Sequence, residues 1–235
     1  MVRTKNVLVV APHQDDEVIG CGGTMAMLIE KGYNVFVVHV FKGSSGVVKK
    51  TAVQAHIIRQ REAVQASKSL NFKLLRNLGF EDRKETAITD VQNSLISIIR
   101  NVGPSVVFTP HANEQDFEHR IVNQATKDAC WLAATENFKG LGMKAPKISA
   151  VFGYEVWTPI QKPNFYLDIS KYILKKQRAL KKFTSQVKGT SWLKGAIGLN
   201  AYRGTTLIGE NYAEAFEANP SDLLLFIDAL KDLMN

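Results

Sequence analysis

The chain has 235 residues, 45% hydrophobic and 22% charged, with a formal net charge of +8; that is enough apolar material for a buried core and suits one domain spanning 1–235. No run approaches the roughly 20 apolar residues that cross a bilayer, and the start, MVRTKN leading directly into VLVVAP, lacks the pattern of a signal peptide, so a cytoplasmic location is expected. Cys21 and Cys130 form no CxxC pair, which argues against both a disulfide framework and a thiolate metal site.

In chain order, the first 140 residues alternate strand and helix patterns, as in a mostly parallel α/β sheet with helices on both faces. The β-branched run Asn6–Ala11 predicts a strand, and a helix follows from about Thr24 to Lys31, ended by Gly32. Asn34–Phe41 predicts a second strand whose continuous apolar character suits burial on both sides. Gly43–Lys50 reads as a loop. Helices are expected over Val53–Leu70, Asp90–Asn101 and Glu118–Thr135, with strands at Lys73–Asn77 and Ser105–Thr109. From about residue 141 the pattern changes to a smaller C-terminal extension. It holds strand-like pieces at Ile148–Trp157 and Asn164–Leu167, a basic helix, a polar glycine-containing stretch and an amphipathic helix over Ser221–Leu233.

The positive charge is concentrated late. No acidic residue lies between Asp168 and Glu210, while Lys171, Lys175, Lys176, Arg178, Lys181 and Lys182 accompany an apolar stripe of Ile169, Tyr172, Ile173, Leu180 and Phe183. A solvated helix face accounts for this best, with attraction to an anionic substrate second. Nucleic-acid binding is not expected, since no recognition motif or aromatic stacking array accompanies the charge.

Two loops carry the chemistry. After the first strand come His13, Asp15, Asp16 and Glu17; after a later strand come His111, Asp116, Glu118 and His119. In an open parallel sheet ligands bind beyond the carboxyl ends of strands, so adjacent strands would bring these loops face to face. His13, Asp16 and His119 would then supply the three nitrogen and oxygen ligands that a catalytic Zn2+ takes beside one open position. Asp15, beside a ligand but directed elsewhere, would be the general base. Each element also has a plainer reading: Asp15-Asp16-Glu17 could cap a helix against its dipole, His111 could finish a strand, and Glu118-His119 could begin a helix. Gly20, Gly22 and Gly23 fail the GxGxxG dinucleotide fingerprint and fit close packing better, and His39 and His56 read as structural.

Pro12-His13-Gln14-Asp15-Asp16-Glu17 with Gly20-Cys21-Gly22-Gly23-Thr24, then Arg59-Gln60-Arg61-Glu62, Leu78 to Asp82, Thr109-Pro110-His111 and His119-Arg120 resemble the LmbE/PIG-L family of zinc-dependent N-acetylglucosaminyl deacetylases over nearly the whole chain. The resemblance implies a Rossmann-like core, Zn2+ on His13, Asp16 and His119, Asp15 as base, and Arg59 and Asp82 near the substrate. The implied partner is a small N-acetylated sugar or sugar conjugate, and homo-oligomerisation is left open. Where many members read His-Pro-Asp-His, this chain reads Asp116-Phe117-Glu118-His119, so Asp116 replaces the histidine that would face the oxyanion. Zinc alone, His111 or an arginine from elsewhere is then expected to stabilise the oxyanion's charge. Two other classes fit parts of the pattern: a sugar-binding member without turnover, suggested by Asp116, and a nucleotide-dependent oxidoreductase, suggested by the glycine cluster alone.

Overall fold

Nearly unbroken apolar runs build the central strands, because a strand covered by helices on both faces has no side that can stay polar. The computed structural model describes residues 5–145, 148–188 and 190–219. Its strands are β1 (Asn6–Ala11), β2 (Asn34–Phe41), β3 (Lys73–Phe80), β4 (Val106–Pro110), β5 (Ala150–Tyr154), β6 (Phe165–Asp168) and β7 (Ala213–Ala218). The helices are α1 (Asp16–Glu30), α2 (Ala52–Leu70), α3 (Ile88–Val102), α4 (Phe117–Ala133), α5 (Ile173–Leu180), α6 (Thr184–Val187) and α7 (Trp192–Tyr202). All seven strands form one sheet in the order β3-β2-β1-β4-β5-β7-β6, parallel from β3 to β5, with β7 antiparallel to both its neighbours. The alternation along β1 divides the core: Val7 and Val9 pack on the side of α1 and α2, Leu8 and Val10 on the side of α3 and α4. No helix among the described residues is long and apolar enough to cross a membrane.

Several elements differ from expectation. Helix α1 begins at Asp16 rather than near Thr24, because its glycines serve packing instead of breaking the helix. A Cβ on Gly20 would lie 2.1 Å from Tyr154 Cδ2 and 2.9 Å from the Glu155 carbonyl oxygen. Tyr154 cannot swing aside, since its buried hydroxyl donates to the Val10 carbonyl at 3.0 Å. Gly20→Ala is therefore expected to lose about 1–3 kcal/mol by overpacking. Gly195→Ala, on an α7 position with nothing within 4 Å of the added carbon, should be neutral or stabilising by up to about 1 kcal/mol. Denaturant unfolding of the two variants checks the contrast.

The helical geometry lapses within α1 at Cys21, where φ is −141°. Past the lapse, the amides of Gly23 and Thr24 donate to Glu214 on β7, at 2.9 and 2.7 Å. Lys176 Nζ completes the arrangement, donating to Glu214 at 2.7 Å and to the Ile19 carbonyl at 2.7 Å, with both charged side chains fully buried. One lysine expected on a solvated face is thus a core residue. Neither β7 nor α7 was anticipated, β3 continues past Asn77 to Phe80, and the expected helix over Ser221–Leu233 lies outside the described residues. Both cysteines are buried.

Candidate active site

Strands β1 and β4 are hydrogen-bonded neighbours, with Val7 opposite Val106. The chain continues from β1 to one side of the sheet and from β4 to the other, so the loops leaving their carboxyl ends open a crevice at the switch point. His13 and Asp16 come from the β1 loop and the start of α1, and His119 from the first turn of α4. One donor atom of each lies within 4.8 Å of the others. Asp16 Oδ2 is 3.4 Å from His13 Nδ1 and 3.3 Å from His119 Nε2, and it also accepts the His13 amide at 2.9 Å. His119 is fully buried, and neither of its ring nitrogens has a protein hydrogen-bond partner. A buried polar ring left so is costly, and a cation among the three donors would satisfy one of its two nitrogens.

The protein groups by themselves favour positive charge here. Burial works against protonation of His13, but Asp16 and Glu118, on either side of the ring, overcome it and raise its pKa to about 10. Burial likewise opposes ionisation of Asp16, yet His119 and His13 bring that carboxyl down to about 2. Glu118 Oε2 lies 3.0 Å from His13 Nε2, while its other oxygen accepts the Arg83 amide. This is the arrangement in which a carboxylate fixes the tautomer and direction of a ligand histidine. From sequence Glu118 stands in the second chemistry-bearing loop without an assigned role; its position one residue before His119 was the available signal for one.

Asp15 sits beside this cluster with φ at +121°, a region costly for any residue with a Cβ. Neighbours hold it there. Its amide donates to Glu17 Oε2 at 3.1 Å, its carbonyl accepts the Val18 and Ile19 amides at 2.9 Å, and Glu17 in turn faces His39 Nε2 at 3.1 Å. Buried Arg59 donates to Asp15 Oδ1 at 2.9 Å and to the Gln14 carbonyl. Burial raises the Asp15 pKa to about 7; Arg59 pulls it down, and Asp16 and Glu17 push it up. His39, expected to be structural, supports this turn through Glu17, and His56 Nδ1 donates to the Lys42 carbonyl at 2.7 Å.

A cavity of about 160 Å³ opens in front of His13, Asp15 and Asp16. Asp82 forms part of its wall and accepts the amides of Gly43 and Ser45 at 2.9 and 2.7 Å, shaping the loop that lines the rim. Gly43 turns there with φ at +70°. Asp116 caps α4 by accepting the Glu118 amide at 2.9 Å and is gripped from both oxygens by the half-exposed Arg83 guanidinium, at 3.1 and 2.6 Å. Burial would raise the Asp116 carboxyl, but Arg83 and that amide outweigh it and hold the pKa below its ordinary value. His111 is buried away from the cavity lining, with Nε2 2.7 Å from the Thr158 carbonyl and 3.4 Å from Glu114. Arg83, Trp157 and Gln186 also line the cavity. Sequence reasoning missed all three: Arg83 adjoins Asp82, while the other two arrive from beyond residue 150 with no local motif.

A family profile described as PIG-L, GlcNAc-PI de-N-acetylase, matches residues 8–130, from β1 through nearly all of α4. The chain belongs to the PIG-L family. The PIG-L assignment agrees with individual relatives. Over 197 residues, 80% of this chain and 72% of the other, it is 28% identical to a diacetylchitobiose deacetylase of Thermococcus kodakarensis. The structure of N,N'-diacetylchitobiose deacetylase from Pyrococcus horikoshii superposes with a TM-score of 0.83 at 26% identity, covering 92% of this chain and 84% of that one. A 4-oxalmesaconate hydratase of Pseudomonas putida is also similar, 26% identical over 77% of this chain and 74% of its own. A PIG-L fold therefore does not by itself fix the reaction.

Proposed function

We propose that this chain is a metal-dependent deacetylase that hydrolyses the N-acetyl amide of an acetylated amino sugar, with zinc on His13, Asp16 and His119. The convergence of those three donors beside Asp15, at the switch point of a PIG-L fold, carries the reading. An ion held there would polarise the acetyl carbonyl and lower the pKa of a water toward about 7. Asp15, held by Arg59, takes a proton from the attacking water, whose oxygen bonds to the carbonyl carbon. The C–N bond then breaks as the proton passes from Asp15 to the nitrogen, releasing acetate and a free amine. Asp116 does not leave an unbalanced negative charge beside the developing oxyanion, because Arg83 pairs with it. Arg83 thus neutralises Asp116 rather than taking over the contact of the missing histidine, and the motive for a binding protein without turnover is weakened.

Acetate release from a panel of N-acetylglucosamine derivatives, with and without chelator, tests this reading and separates it from a hydratase, which would release none. Asp15→Asn should keep the fold while lowering kcat by about 10² to 10⁴-fold, the usual worth of a positioned acid-base group. A kcat within a few-fold of the parent would remove Asp15 from the role.

A further inference from the structure

Part of the cavity wall is built from residues that the catalytic reading does not use. Trp157 lines the cavity and is 44% exposed, unusual for so large an apolar ring. It is also fixed. The amides of Val156, Trp157 and Thr158 donate to the buried Glu114 carboxylate at distances of 2.9–3.3 Å. The Trp157 ring stands edge-on to Trp192, with centroids 6.3 Å apart and planes at 82°. Trp192 Nε1 donates to the Gln186 carbonyl at 2.7 Å, and Gln186 donates to the Gly46 carbonyl at 2.8 Å across the rim. An exposed aromatic face held this rigidly has the form of a stacking platform for the apolar C–H face of a pyranose ring.

The charges of the cavity point the same way. Its two guanidinium groups are already committed, Arg59 to Asp15 and Arg83 to Asp116. Asp82 adds a further carboxylate, and among the described lining residues there is no lysine. Two lysines of α5 are spent elsewhere: Lys175 pairs with Glu30 and Lys176 with Glu214. Away from the metal-ligand cluster, an anionic group entering the cavity would meet carboxylates with no uncommitted lysine or arginine among the described lining residues.

We propose that Trp157 is the stacking face for the sugar ring, and that the cavity selects uncharged N-acetylated sugars over those bearing an anionic group beside the ring. The proposal rests on the deacetylase reading for its substrate, but its test does not depend on turnover. With zinc-loaded protein, binding by calorimetry and acetate release would be measured for the methyl glycoside of N-acetylglucosamine and for N-acetylglucosamine 1-phosphate. The parent should bind and process the methyl glycoside at least about tenfold better. Trp157→Ala should raise Kd and KM for it by about tenfold with kcat little changed, and Trp157→Phe should stay within about threefold of the parent, the scale expected of a lost or kept aromatic face. Equal or better handling of the phosphate overturns the proposal without need of any variant, as does a Trp157→Ala protein with unchanged Kd. If the glycoside binds in this Trp157-dependent manner but no acetate appears, the proposal stands and the deacetylase reading fails. If acetate appears with the phosphate preferred, the reverse holds.

Discussion

Replacing His119 with alanine is expected to leave a folded protein without stoichiometric metal and to lower kcat/KM by on the order of 10³-fold or more, the loss of several kcal/mol of charge stabilisation. The basis is geometric: His119 brings the one donor of the cluster that comes from beyond β4, and its two ring nitrogens make no protein hydrogen bond. Glu118→Gln provides the graded comparison. It keeps all three donors but replaces the carboxylate that orients His13 at 3.0 Å, so metal affinity should fall by about 10 to 100-fold rather than vanish. Metal analysis after dialysis, alongside acetate release, reads both. Full metal content and full rate in His119→Ala would dismantle the proposed centre.

The second large effect lies in the core. Lys176→Met should destabilise the protein by about 3–5 kcal/mol, because it leaves the fully buried Glu214 carboxylate without its cation. At about 2–4 °C per kcal/mol for a domain of this size, the melting temperature should drop by roughly 6–20 °C. A buried pair can often be exchanged for apolar residues without loss. Here the double variant Lys176→Met with Glu214→Leu should recover only part of the stability, because Glu214 also accepts the amides of Gly23 and Thr24 where α1 loses its regular geometry. Those two donors would be stranded in the core, at about 1–3 kcal/mol each. Thermal unfolding of both variants decides it; a loss under 1 kcal/mol for Lys176→Met would show the pair to be dispensable.

The central sheet was legible because its chemistry is local: a strand buried on both faces must be almost wholly apolar, and β1, β2 and β4 are. The spacing of His13, Asp15 and Asp16 was legible for the same reason, since one tight turn fixes all three. The extent of α1 was not, because a glycine placed for close contact with Tyr154 reads the same as one placed to break a helix. Strand β7 was missed because Ala-Glu-Ala-Phe-Glu-Ala favours a helix by propensity, and its place in the sheet depends on a lysine far away in sequence. The family resemblance pointed toward Arg59 and Asp82, but the tether of Asp116 to Arg83 and the wall containing Trp157 come from tertiary neighbours that no spacing rule connects.

The turn at Asp15 sets backbone and chemistry against each other. With φ at +121°, the residue that this peptide geometry accepts most readily is glycine, which has no Cβ to crowd it. Glycine could accept no proton. On the role proposed for Asp15, the fold forgoes some stability at this one position to retain an acid, as functional sites often do. The amide contact to Glu17, with His39 behind it, keeps the chain from relaxing out of the turn.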